Sequence, residues 1–164
     1  MIRDLVCGRG QVHATRIGHA VVDEAFDCGT DTRFCFFSAG KPVTATAVHL
    51  LVADGVLSYD DPIARWVPEF GSHGKDLVTV HHVLLHQGGF PDADMSRVPP
   101  GSDALPAICD MPLEFEPGSR CVYHPLTGYA ILAEVVARAS GTSFPDLCAR
   151  RIFGPLDMDR TTWG

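Results

Sequence analysis

Pro42 fixes one point of the fold before anything else is considered. A proline locks its own φ and has no N–H to donate, so it breaks a helix interior but fits the first turn, where backbone donors have no acceptor within the helix. Downstream of it Val43, Ala47, Leu50 and Leu51 recur at helical rather than alternating spacing, and Gly55 stands where such a helix stops. The chain must therefore start a helix close to position 42, with residues 38–41 at its N-terminal end.

Other segments can be placed around that point. Residues 11–26 contain Val12, Ile17, Val21 and Val22, which suit strands, with Gly18 as a bend. Asp60-Asp61-Pro62 and residues 71–74 mark turns on either side of a short helix near residues 63–67. Residues 77–85 predict a helix capped near Thr79. Residues 88–110, rich in Gly, Pro, Asp and Ser, read as a long loop bordering a site. A helix over 126–140 places Tyr129, Leu132, Ala133, Val136 and Ala137 on one face before Gly141, and a last helix covers residues 144–152. Neither a repeat nor a second independent core is legible, so residues 1–164 read as one domain or part of one.

Composition narrows the partners. A formal charge of −7 with thirteen scattered Lys and Arg leaves no basic face for nucleic acid. The chain lacks the roughly 18 to 20 uninterrupted apolar residues of a membrane helix, and its N-terminus is too polar for a signal peptide, so a cytoplasmic location without membrane contact is expected. Six cysteines at irregular spacing contain no CxxC pair, which suits reduced thiols better than zinc or redox chemistry. His82 and His86 lie four apart, but no glutamate follows His82 and no third ligand is evident; His86 is read as a packing or loop-anchoring residue, and neither a metal nor another cofactor is implied.

The chemistry concentrates at Ser38-Ala39-Gly40-Lys41. At the start of a helix a serine and a lysine three apart project from one face within a single turn. A serine hydroxyl is a weak nucleophile until a base takes its proton, and a lysine serves as that base only where burial lowers its pKa; Phe36, Phe37, Val43 and Ala45 are the candidates for that apolar setting. Free N–H groups at a helix start also favour developing negative charge, so the backbone N–H of Ser38 suits half of an oxyanion hole. The structural alternative makes Ser38 a cap and Lys41 a solvated first-turn residue. Asp92, Asp94, Glu114 and Glu116 sit in turn-like sequence with nothing to raise a carboxyl pKa, and read as solvated loop charges.

The surrounding sequence resembles a known family. SAGKPVTATAVHLLVADGVLSYDDPIARWVPEF is similar to the segment in which S-x-x-K-P opens a long helix before G-x-L-x-x-D-D-P and a W or Y-x-P-E-F ending. VTVHHVLLHQGG, FEPGSRCVYHP and RIFGPLDMDRTTWG resemble the later motifs I-T-I-R-x-L-L-T-H-x-S-G, F-x-P-G-x-x-F-x-Y-S-N and I-F-x-P-L-G-M-x-x-T. These are motifs of penicillin-binding-protein-like serine hydrolases, of the esterase and class C β-lactamase type. The resemblance implies an α+β fold, here an incomplete β-lactamase/transpeptidase-like fold with a helical lobe and an N-terminal β-hairpin. It also implies Ser38 as nucleophile, Lys41 as its activating base and Tyr123 as a proton relay to the leaving group.

Two departures qualify what the resemblance implies. Pro125 stands where lactamases and peptidases carry an asparagine, which favours small esters or related acyl compounds as substrates over β-lactams and D-alanyl-D-alanine peptides. The third family motif, a K-T-G, H-x-G or W-G-G strand, is not found; Trp163-Gly164 follows the end of the helical lobe too closely to be it. A chain covering only the N-terminal portion is expected to leave apolar surface for a complementary chain or for self-association. A non-catalytic fragment acting as a binding or assembly partner is the competing reading.

Overall fold

The computed structural model describes residues 8–92 and 103–163. Cys7 and Asp94 lie outside the described residues, as does Gly164 of the Trp163-Gly164 pair. The chain falls into two compact units, residues 1–36 and residues 37–164.

In the first unit, β1 (Gly10–Arg16) pairs antiparallel with β2 (His19–Phe26) as a hairpin. Gly18 bends the chain as expected, but Ile17 shares the turn instead of a strand. Both have positive φ, 52° and 76°, and this geometry suits the right-handed twist of the flanking strands. The register shifts after Ala14: Ala14 faces Val22 while Thr15 faces Ala20, leaving Val21 as a bulge. Gln11 ties the hairpin to the following turn by donating to the carbonyls of Gly29 and Thr32.

The second unit is helical. A 3-10 turn over Phe37–Gly40 runs into α1 (Lys41–Ala53), with Pro42 in its first turn. Then follow α2 (Ile63–Trp66), α3 (Val80–Leu84), α4 (Leu105–Cys109), α5 (Thr127–Ser140) and α6 (Phe144–Cys148). After α6 the chain continues as a π-helical turn, Ala149–Phe153, so the last predicted helix is compound. Helices α1 and α5 pack together, and Ala47, Val48 and Leu51 share one buried cluster with Ile131, Leu132, Val135 and Val136. The buried stripe of α5 thus includes Ile131 and Val135, with Tyr129, Ala133 and Ala137 at its margin. That rotates the face read from sequence by part of a turn.

Helix α4 breaks up the loop expected over residues 88–110. It holds five residues, too few for periodicity to register, and Pro106 sits in its first turn. Lys75, fully buried, donates to the carbonyls of Cys109 at 2.9 Å and of Met111, anchoring the chain after α4. Burial lowers its pKa from the usual lysine value. Cys28, Cys35, Cys109, Cys121 and Cys148 are free thiols. Among the described residues no helix is long and apolar enough to cross a membrane.

Candidate active site

Ser38 lies inside the 3-10 turn and Lys41 is the first residue of α1. The tighter 3-10 winding nearly eclipses residues three apart, so both side chains leave the same side of the chain. The Lys41 Nζ donates to Ser38 Oγ at 3.0 Å. Phe37, immediately before the serine, has a φ of 46°, a left-handed conformation costly for a bulky side chain.

Tyr123 comes from a loop distant in sequence, and its Oη donates to the same Ser38 Oγ at 2.7 Å. The three groups singled out in the sequence therefore meet at one oxygen. The phenol pKa is lowered, first by the hydrogen bond to Ser38 and then by Lys41. Lys41 is half-buried, with its Nζ 5.1 Å from the ring centroid of Tyr123 and 5.5 Å from that of Tyr129. Of the apolar residues expected around Lys41, Val43 and Ala45 are half-buried, whereas Phe36 and Phe37 stand 54% and 85% exposed. Tyr129 escaped the sequence reading because its helical spacing marked it as core; its pKa is raised by burial and by Tyr123.

The Tyr123 loop is tied down on two sides. Toward its start, Gly118 N donates to Gln87 O and Val122 N to His86 O, both at 2.9 Å. Gly118 has a φ of 83°, and a Cβ there would come within 3.1 Å of His82 Nε2, so glycine suits the position doubly. Toward its end, Asp92 Oδ1 accepts from Leu126 N, Thr127 N and Thr127 Oγ1 at 3.0, 2.9 and 2.9 Å. Asp92 is therefore no loosely solvated loop charge: it caps the first turn of α5. Glu114 and Glu116 are exposed, as expected.

His82 and His86 do not converge on a metal site. His82 Nδ1 accepts from Thr79 N while Thr79 Oγ1 accepts from His82 N, a reciprocal cap that starts α3 where the sequence placed it. Among the described residues no group of three His, Cys, Asp or Glu is arranged to hold a metal ion.

The chain is 33% identical over 154 residues to penicillin-binding protein 4* of Bacillus subtilis, covering 88% of this chain and 33% of that protein. It is 34% identical over 149 residues to esterase EstB of Burkholderia gladioli, covering 78% of this chain and 38% of the esterase. The structure of a family VIII carboxylesterase superposes with a TM-score of 0.80 at 26% identity, over 97% of this chain and 47% of the other. The chain thus spans about a third of the length of these curated relatives. Its hairpin and helices form part of the α+β β-lactamase/transpeptidase fold. The β-lactamase family profile matches residues 5–164, and this chain belongs to that family of serine hydrolases.

Proposed function

We propose that the chain carries the nucleophilic part of a serine hydrolase that acts on small esters or related acyl compounds through an acyl-enzyme at Ser38. The observation that carries the reading is the pair of hydrogen bonds converging on one hydroxyl, from Lys41 at 3.0 Å and Tyr123 at 2.7 Å.

In this proposal Lys41 and Tyr123 handle the serine proton as a pair. Ser38 Oγ attacks the ester carbonyl carbon, its proton passes to the basic member of the pair, and a tetrahedral oxyanion forms. The oxyanion collapses, the bond to the leaving oxygen breaks, and Tyr123 delivers the proton to the departing alcohol. Water then attacks the acyl-enzyme by the reverse route, giving a carboxylic acid and free Ser38. The lowered pKa of Tyr123 makes its phenolate more accessible, so the phenol as well as the amine is suited to accept the proton. The N–H of Ser38, at the start of a 3-10 turn, is the proposed first oxyanion donor.

Pro125 and the exposed apolar residues next to Ser38 and around Tyr123 in sequence support this substrate preference. Proline has no side-chain group to hold a lactam or peptide amide, whereas exposed Phe37, Val122 and Leu126 suit an apolar acyl chain. Among the comparisons, the esterase and the carboxylesterase point the same way.

The test is hydrolysis of a chromogenic short-chain ester by the purified chain beside its Ser38→Ala variant, followed by a penicillin-type substrate. Loss of ester hydrolysis by about 10³-fold or more in the variant is expected. Equal rates would leave the non-catalytic reading standing, and a faster reaction with the penicillin would move the substrate class to β-lactams.

A further inference from the structure

The Tyr123 loop is gripped on both sides of the tyrosine by a single residue. The main-chain carbonyl of His86 accepts from Val122 N at 2.9 Å, and its ring Nδ1 accepts from His124 N at 3.4 Å. Residues 122 and 124 bracket the phenol, so the position of Oη over Ser38 depends on both bonds. His86 reaches them with a φ of 57°, a left-handed conformation uncommon for a residue with a Cβ.

The donor in the second bond is a backbone amide, which cannot reverse its role. His86 Nδ1 must therefore carry a lone pair, and the ring proton belongs on Nε2. Protonating Nδ1 would set two N–H groups against each other and break the bond after Tyr123. From its place in this arrangement we propose that His86 is a positioning residue for Tyr123, holding the phenol loop through an unprotonated Nδ1 and releasing it when that nitrogen takes a proton.

The surroundings favour the unprotonated form. The ring is half-buried, 4.8 Å from the Tyr123 centroid and 5.4 Å from that of Tyr129 on α5. The groups that face it are Lys41 from α1, Tyr129 from α5, and Tyr123 and His124 from the loop; Cys121 donates to the neighbouring Leu85 carbonyl. Burial first, then His124 and Lys41, lower the His86 pKa below 6.5. A basic group with a depressed folded pKa binds fewer protons folded than unfolded. Its contribution to stability is therefore full above the unfolded value and declines as pH falls below it, whereas the grip itself is lost only as pH falls through the lower folded value. This inference rests on the hydrolase reading only for its kinetic consequence; the tautomer and the grip stand on geometry alone.

Two variants and one spectrum test it. Asparagine carries Oδ1 where histidine carries Nδ1, tolerates positive φ and does not titrate, while glycine tolerates the same φ and removes the acceptor. Hydrolysis of 4-nitrophenyl butyrate is followed between about pH 5 and 8. In the wild type kcat should fall on the acid side with KM nearly constant. His86→Asn should keep kcat within about threefold at the upper end and lose that acid limb, whereas His86→Gly should lose about tenfold throughout. An unchanged acid limb in His86→Asn overturns the proposal, as does a long-range ¹H–¹⁵N spectrum showing Nδ1 protonated at the upper end of the range. If the wild type is no faster than Ser38→Ala, the hydrolase reading fails instead. The spectrum then decides the role of His86 by itself: Tyr123 ring resonances that co-titrate with His86 support the grip, and resonances that do not move refute it.

Discussion

Ser38 and Lys41 meet because they are three residues apart in a tight turn, whereas Tyr123 reaches the same oxygen across 85 residues. The first pairing needs only the winding of the chain at Pro42. The second needs two tethers, His86 on either side of the tyrosine in its loop and Asp92 at the first turn of α5 just after it, and neither tether touches Ser38. A local pair can be lost only by changing its members, but a distant partner can be lost through residues that never contact the reacting atoms.

The largest effect should come from the local half. Lys41→Met keeps an apolar stem of similar length beside Tyr123 and Tyr129 but removes the amine. We expect kcat/KM for a short-chain ester to fall by about 10³-fold, within the usual range for a lost proton-transfer partner, with the melting temperature moved by no more than about 2 °C. A loss below tenfold would assign the serine proton to Tyr123 alone and make the phenol the essential partner.

Breaking a tether should cost less in rate and more in stability. Asp92→Ala leaves three donors at the start of α5 without their acceptor. The expected result is about 1–2 kcal/mol less stability in urea unfolding, and a kcat reduced by about tenfold with KM little changed. A variant that loses stability but keeps full kcat would show that the loop holds Tyr123 in place without the cap, and the burden would shift to His86.

The same division explains what could be read from sequence. The turn at Pro42, the cap at Thr79, the hairpin bend at Gly18 and the end of α5 at Gly141 are each fixed by residues within a few positions of one another, so pattern and turn chemistry sufficed. What escaped depended on contacts between distant segments: the Tyr129 ring under Lys41, Asp92 accepting from residues 126 and 127, and the buried Lys75 holding the chain after α4. Tyr123 was placed by resemblance to family motifs and by nothing in its own neighbourhood. Phe36 and Phe37 directly precede Ser38 in sequence yet stand exposed, so adjacency along the chain does not make them a shield for Lys41.

The smallest effect tests whether stability and positioning are separable at all. Thr79→Ala removes half of the reciprocal cap on α3, the helix that leads into His86, without altering any atom that holds the Tyr123 loop. Losing such a cap typically costs about 1 kcal/mol, and His82 keeps its own bond to the Thr79 backbone N–H, so a loss toward the lower end of that range is expected in urea unfolding. Ester hydrolysis should stay within about twofold of the wild type, because the carbonyl and ring of His86 are held by the loop they hold. If kcat instead falls as far as in Asp92→Ala, then any loosening of the scaffold displaces Tyr123. The two tethers would then owe their effect to general stability and not to their grip on the phenol.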